Sequence, residues 1–128
     1  MGKKTKILII DDEEDICHFL KSGLERTKKF EVLTSTQADR GIVLAKTFHP
    51  DLILLDISMP EMDGSQVAEA LRADTSTKDI PVVFLTALAR KEEVEEGSGM
   101  IGGHLFIAKP VETKELIDRI ESILNTGK

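Results

Sequence analysis

Apolar and polar positions along this chain follow two periods that take turns from end to end. Ile7-Leu8-Ile9-Ile10 is a short continuous apolar run rich in β-branched residues. A run of that length and composition suits a strand covered on both faces. After it, Ile16, Phe19, Leu20, Gly23 and Leu24 recur at three- and four-residue spacing, the stripe of an amphipathic helix. Val32 to Ser35 is a more polar strand, suited to an edge. Ala38, Gly41, Ile42, Ala45 and Phe48 form a second helical stripe, which His49-Pro50 stops. Leu52 to Leu55 is a second fully apolar run, and Met59 to Gly64 is loop chemistry. Val67, Ala68 and Leu71 make a short third helix, followed by a polar linker at Thr75 to Asp79. Ile80 to Leu85 is a third strong strand, with Pro81 near its start where it disturbs pairing least. Leu105 to Ala108 is the last strand, and Glu112 to Asn125 the last helix, striped by Leu116, Ile117, Ile120, Ile123 and Leu124.

Arg90 to Gly103 is the soft stretch. It holds Gly97, Gly99, Gly102 and Gly103 and only three apolar residues, Val94, Met100 and Ile101. Each glycine inside a helix costs roughly 1 kcal/mol against alanine, so a short or mobile helix is expected there. Five strand-helix units predict an α/β fold, a parallel sheet with helices on both faces. Periodicity leaves the strand order open.

Length and charge narrow the function. At 128 residues the chain is one domain. Lys and Arg number 17 and Asp and Glu 23, a net charge of −6, which argues against nucleic-acid binding by this domain. There is no Trp or Tyr to stack bases. No apolar stretch reaches the roughly 18 residues of a membrane span, and the run after Lys6 is too short for a signal peptide. A single cysteine, Cys17, precludes an internal disulfide and fits the reducing cytoplasm.

In open parallel sheets ligands bind at the carboxyl ends of the strands. There the first strand leads into Asp11-Asp12, the third into Asp56, the fourth into Thr86 and the last into Lys109-Pro110. Three carboxylates on one rim repel by about 1 kcal/mol per close pair in water. Such a cluster wants a cation, and hard oxygen donors favour Mg²⁺, Mn²⁺ or Ca²⁺ over zinc. Mg²⁺ held by one or two carboxylates leaves another free to attack phosphorus, with Lys109 neutralising charge. Each residue also has a plainer reading. Asp11 or Asp12 alone could cap the first helix, Asp56 could be a solvated turn residue, Thr86 a common strand residue, and Lys109 a surface lysine. His18, His49 and His104 stand in no metal-ligand spacing, and Cys17 reads as packing.

Together these residues resemble the receiver domain of two-component response regulators, the superfamily of CheY-like proteins. The matching pieces are Ile9 to Glu13, Leu54-Leu55-Asp56, Met59 to Gly64, Leu85-Thr86-Ala87 and Phe106 to Pro110, covering about residues 6 to 124. The resemblance implies a flavodoxin-like, doubly wound, five-stranded parallel sheet of order 2-1-3-4-5 with five helices. It implies that Asp56 is phosphorylated by a histidine kinase or a phosphotransfer protein. Asp11, Asp12, Asp56 and the backbone carbonyl of Ser58 would hold Mg²⁺ or Mn²⁺. Thr86, with Ala87 beside it, and Lys109 would meet the phosphoryl group, and Phe106 would be the switch aromatic. The peptide before Pro110 would be cis. The surface of the fourth helix, fifth strand and fifth helix would carry the change to an output partner or a phosphorylation-dependent homodimer, with no membrane contact and no turnover of an external substrate.

Two departures stand out. Gly102-Gly103-His104-Leu105 replaces the more polar stretch common in the family, and Phe106 lacks a hydroxyl. Nothing like an output domain follows Lys128, so either a stand-alone receiver or part of a longer regulator is expected. Two other readings use the same rim. An aspartyl-phosphate phosphatase or phosphotransferase of the haloacid dehalogenase type expects a second Asp where Ser58 stands. A receiver-like module could bind partners without phosphorylation. A flavin or nucleotide site is weaker, because a phosphate loop after the first strand would want glycines rather than Asp11-Asp12.

Overall fold

A computed structural model describes residues 4–57, 64–86, 100–101, 104–108 and 111–126. In chain order these form β1 (Thr5–Ile10), α1 (Glu14–Arg26), β2 (Phe30–Ser35), α2 (Ala38–Phe48), β3 (Leu52–Asp56), α3 (Gly64–Ala73), β4 (Val82–Thr86), β5 (Met100–Ile101), β6 (His104–Ala108) and α4 (Thr113–Thr126). The sheet runs β2-β1-β3-β4-β6-β5. The first five of these pair in parallel, and counted among themselves they stand in the order 2-1-3-4-5. Among the described residues there are four helices rather than five.

The continuous apolar runs are explained by the two sides of the sheet. Side chains alternate along a strand, so Ile7, Ile9, Leu52, Leu54, Val83 and Leu85 face one core, with Leu20 and Leu24 of α1 and Leu116 and Ile120 of α4. Leu8, Ile10, Ile53, Leu55 and Phe84 face the other, with Val67, Ala68 and Leu71 of α3 and Ala38 and Ala45 of α2. Both faces are covered, which is why no polar position interrupts β1 after Lys6 or β3 before Asp56.

Two expectations are corrected and a third is refined. Phe19 is 58% exposed, because Cys17, Leu20, Gly23 and Leu24 already fill the inward stripe of α1 and Phe19 falls beside it. In the glycine-rich stretch Met100–Ile101 is strand, not helix, and pairs antiparallel with Leu105 and His104. The rest of Arg90 to Gly103 lies outside the described residues. The polar linker after α3 has one buried member. Thr77 is buried, and its hydroxyl donates to the Leu71 carbonyl that α3 leaves open.

Candidate phosphoacceptor site

The carboxyl ends of β1 and β3 lie side by side, since Ile10 pairs with Leu55. The residues that follow carry the acids. Asp11 is fully buried, Asp56 is nearly so, and Asp12 is exposed. One carboxylate oxygen from each of Asp11, Asp12 and Asp56 lies within 4.8 Å of the others. The sequence reading of a converging cluster therefore holds for all three.

Backbone bonds fix this corner. The Asp11 amide donates to the Ser35 carbonyl at 3.0 Å, extending the β1–β2 ladder by one residue. The Asp11 Oδ1 accepts the Glu13 amide at 2.9 Å, and the Cys17 thiol donates to the Asp11 carbonyl at 3.3 Å. Glu13, not Asp11 or Asp12, occupies the N-cap position of α1, with no side-chain cap bond. The capping alternative thus fails for both aspartates. Cys17 is buried packing, as expected, with a polar contact to the chain turn that aims Asp11.

Thr86 ends β4 and is 3% exposed. Its neighbour Leu85 pairs with Asp56, and the Ile57 amide donates to the Leu85 carbonyl at 3.2 Å. So the hydroxyl-bearing strand end is tied directly to the strand end that carries Asp56. On the far side Thr86 pairs with Ala108 of β6. Phe106 is half-buried, and its ring centroid stands 5.2 Å from that of Phe84, the planes tilted by 32°. Ser58, Ala87, Lys109 and Pro110 lie outside the described residues.

Sequence reasoning passed over two participants. Phe84 reads as one more apolar residue of a strand, yet register places it opposite Phe106. Arg119 reads as the solvated face of the last helix, yet its Nη2 donates to the Phe106 carbonyl at 3.3 Å. Pairing β4 with the last strand from their apolar runs would have found the first. No local signal marks the second.

The donor set fits a small hard cation. It is all carboxylate oxygen, from three residues with three negative charges in close range. Two members are held by the sheet, and the exposed third leaves an opening to solvent.

The comparisons agree with this geometry. The family model described as response regulator receiver domain matches residues 7–121. The DNA-binding dual master transcriptional regulator RpaA of Synechocystis is 35% identical over 119 residues, 93% of this chain and 48% of that protein. The alkaline phosphatase synthesis transcriptional regulatory protein PhoP of Bacillus subtilis is 35% identical over 124 residues, 96% of this chain and 50% of that protein. The chain spans about half the length of these curated relatives. Among solved structures, the chemotaxis protein CheY4 of Vibrio cholerae superposes with a TM-score of 0.79 at 25% identity, covering 94% of this chain and 99% of that one. A response regulator from Desulfuromonas acetoxidans gives 0.79 at 28% identity, covering 95% and 98%.

Proposed function

Because the chain belongs to the response regulator receiver domain family, we propose that it is a phosphoacceptor switch with Asp56 as the residue that takes the phosphoryl group. The observation that carries the reading is the meeting of Asp11, Asp12 and Asp56 within 4.8 Å at the strand ends, with the buried Thr86 on the adjoining strand.

Roles follow from position. Asp11 and Asp12 would hold Mg²⁺ together with Asp56 and the carbonyl of Ser58. When bound, the ion supplies positive charge that offsets the carboxylates and the incoming phosphoryl oxygens. An Asp56 carboxylate oxygen forms the new bond to phosphorus while the donor's bond to phosphorus breaks. From phosphohistidine the imidazole leaves with the electron pair and takes up a proton. From acetyl phosphate the leaving group is acetate. The product adds nearly two negative charges and three acceptor oxygens to a nearly dry corner. Thr86, through its hydroxyl, and Lys109, through its ammonium, would answer that charge. Phe106 would follow Thr86, because β6 is bonded to β4 residue for residue. The result is a shift between two packings of β4 and β6, biased by contacts that only the phosphorylated form makes.

The donor would be a histidine kinase or a phosphotransfer protein, and the output a protein partner. With a net charge of −6 the domain offers no attraction to a phosphate backbone. No helix among the described residues is long and apolar enough to cross a membrane. The chain would return to its resting form by hydrolysis of its own acyl phosphate and turn over no other substrate.

Intact mass after incubation with Mg²⁺ and acetyl phosphate tests this on wild type and Asp56→Asn. A single metal-dependent phosphoryl adduct, absent from the variant, is expected. An adduct that persists in Asp56→Asn would move the site elsewhere. A folded wild type that takes no adduct from acetyl phosphate or from phosphorylated kinase would leave the phosphorylation-independent module. Multiple turnover of a small phosphate ester would favour the phosphatase.

A further inference from the structure

We infer that Arg119 is a positioning residue for the phosphate-facing edge of this site, acting through β6 on Thr86. The inference rests on the reading of Thr86 given above. Sheet edges need cover for their backbone groups. On its inner edge β6 is covered by β4. On its outer edge β5 reaches only His104 and Leu105. Backbone groups of alternate residues face the same edge of a strand. Phe106 stands two places beyond His104, so its carbonyl faces outward just past the end of β5. That carbonyl accepts the Arg119 Nη2 at 3.3 Å. A side chain thus takes over the outer edge where the antiparallel strand stops.

The donor comes from a fixed element. Leu116 and Ile120 on the same helix are fully buried against the sheet, so α4 holds the guanidinium in register with β6. Phe106 is therefore restrained twice, by its carbonyl on Arg119 and by its ring on Phe84. Two residues further on, Ala108 is the pairing partner of Thr86. Loosening Phe106 loosens the strand against which Thr86 is set. Asp11 and Asp12 follow the end of β1 and Asp56 ends β3, so the three acids do not depend on this bond.

That separation gives the test. In the full chain, Arg119→Met keeps an apolar stem without a donor, and Arg119→Lys keeps a single cationic donor. Mg²⁺ alone, beryllofluoride in saturating Mg²⁺, and hydrogen exchange of the ligand-free amides at 106–108 are each measured by NMR. Arg119→Met is expected to weaken beryllofluoride binding about threefold to tenfold, the range one hydrogen bond supports. Its exchange at 106–108 is expected to quicken, its Mg²⁺ affinity to stay within about twofold, and Arg119→Lys to recover part of the loss. Equal beryllofluoride affinity in Arg119→Met and wild type overturns the inference. So does a parallel loss of Mg²⁺ affinity, the mark of a general structural defect. A wild type that binds Mg²⁺ but not beryllofluoride overturns the phosphoacceptor reading, and this inference with it. If Arg119→Met does not fold, Arg119→Gln, neutral and shorter, takes its place in the same comparison.

Discussion

Gly41 of α2 lies so close to Ile10 of β1 that a Cβ on the glycine would stand 2.6 Å from the Ile10 Cδ1 and 2.8 Å from its Cγ1. Ile10 is fully buried and directly precedes Asp11, so this contact seats α2 against the strand that delivers the first acid. Ile10 shares its core with Leu8, Leu55 and Ala38, so any shift of its side chain has to be accommodated among buried neighbours. Gly41→Ala gains helix propensity of about 1 kcal/mol but overpacks by about 1–3 kcal/mol. A net loss of about 1 kcal/mol is expected, and a larger one for Gly41→Val. Thermal melts would show it as a fall of about 4 °C for the alanine variant. A melting point raised by Gly41→Ala would mean that the helix can step back at no cost.

The acidic cluster makes a prediction of opposite sign. Without a divalent ion, three carboxylates with oxygens inside 4.8 Å repel one another. Asp12 is the exposed member, so removing its charge disturbs no buried bond. Asp12→Asn should raise stability in chelator by about 0.5–1 kcal/mol, the scale of one close pair in a watery setting. Wild type should gain about 1.4 kcal/mol in Mg²⁺ at ten times its dissociation constant, and Asp12→Asn should lose most of that gain. Melting both proteins with and without Mg²⁺ checks the two signs together. A variant less stable than wild type in chelator would mean that Asp12 is held by contacts worth more than the repulsion.

Much of this architecture was legible because burial on both sheet faces writes itself as unbroken apolar runs. Leu52 to Leu55 can hardly be anything but a central strand, and a run that ends abruptly in Asp56 marks the rim. Asp11 and Asp12 were legible for the same reason, as charge placed where β1 ends. What escaped depends on packing between distant elements. Phe19 fits a helical stripe as well as Leu20 does, and only the seating of α1 on the sheet decides which one turns outward. Thr77 sits in a polar stretch, and its burial follows from capping the end of α3. Met100 and Ile101 stand among glycines, and two residues are too few for any period to be read. Arg119 is one cation on an amphipathic helix, with nothing nearby in sequence to point it at a carbonyl thirteen positions back.

On the proposed reading, with Asp56 as the phosphoacceptor, a change at Thr86 should separate taking up the phosphoryl group from responding to it. Its side chain is buried at the end of β4, one residue past the partner of Asp56. Thr86→Val keeps the shape and removes the hydroxyl, at a stability cost of about 1 kcal/mol. Asp56 should still form its adduct in that variant, because the attacking carboxylate lies on β3. The shift of β6 amides on adding beryllofluoride should shrink severalfold, while Thr86→Ser should keep most of it. Recording amide spectra of all three proteins with the mimic decides the point. An unchanged β6 response in Thr86→Val would remove Thr86 from the switch.

Asp74 offers a pH-dependent element far from this chemistry. It follows α3, and its carboxyl is lowered from 3.8 to about 2. The largest cause is the Ser76 hydroxyl, which donates to Oδ1 at 2.6 Å. The Ser76 amide adds a second bond at 2.8 Å, and Lys46 of α2 lies 3.2 Å from Oδ2. All three favour the ionised form. A carboxyl with a depressed folded-state pKa stabilises the fold above its unfolded value and loses that contribution as pH falls through the folded one. The window is therefore between about 4 and about 2, with no effect of this group near neutrality. Ser76→Ala should raise the Asp74 titration midpoint toward 3.8, because the hydroxyl bond is the largest single cause of the lowering, and Lys46→Met should raise it as well. Added salt should weaken the Lys46 contribution and spare that of Ser76, since the ion pair is partly exposed and the hydrogen bond is short. Carboxyl carbon shifts followed by NMR through acid titration read each midpoint directly. If Lys46→Met moved the midpoint further than Ser76→Ala, the ion pair between α2 and the end of α3 would be the dominant restraint, and the turn would be secondary.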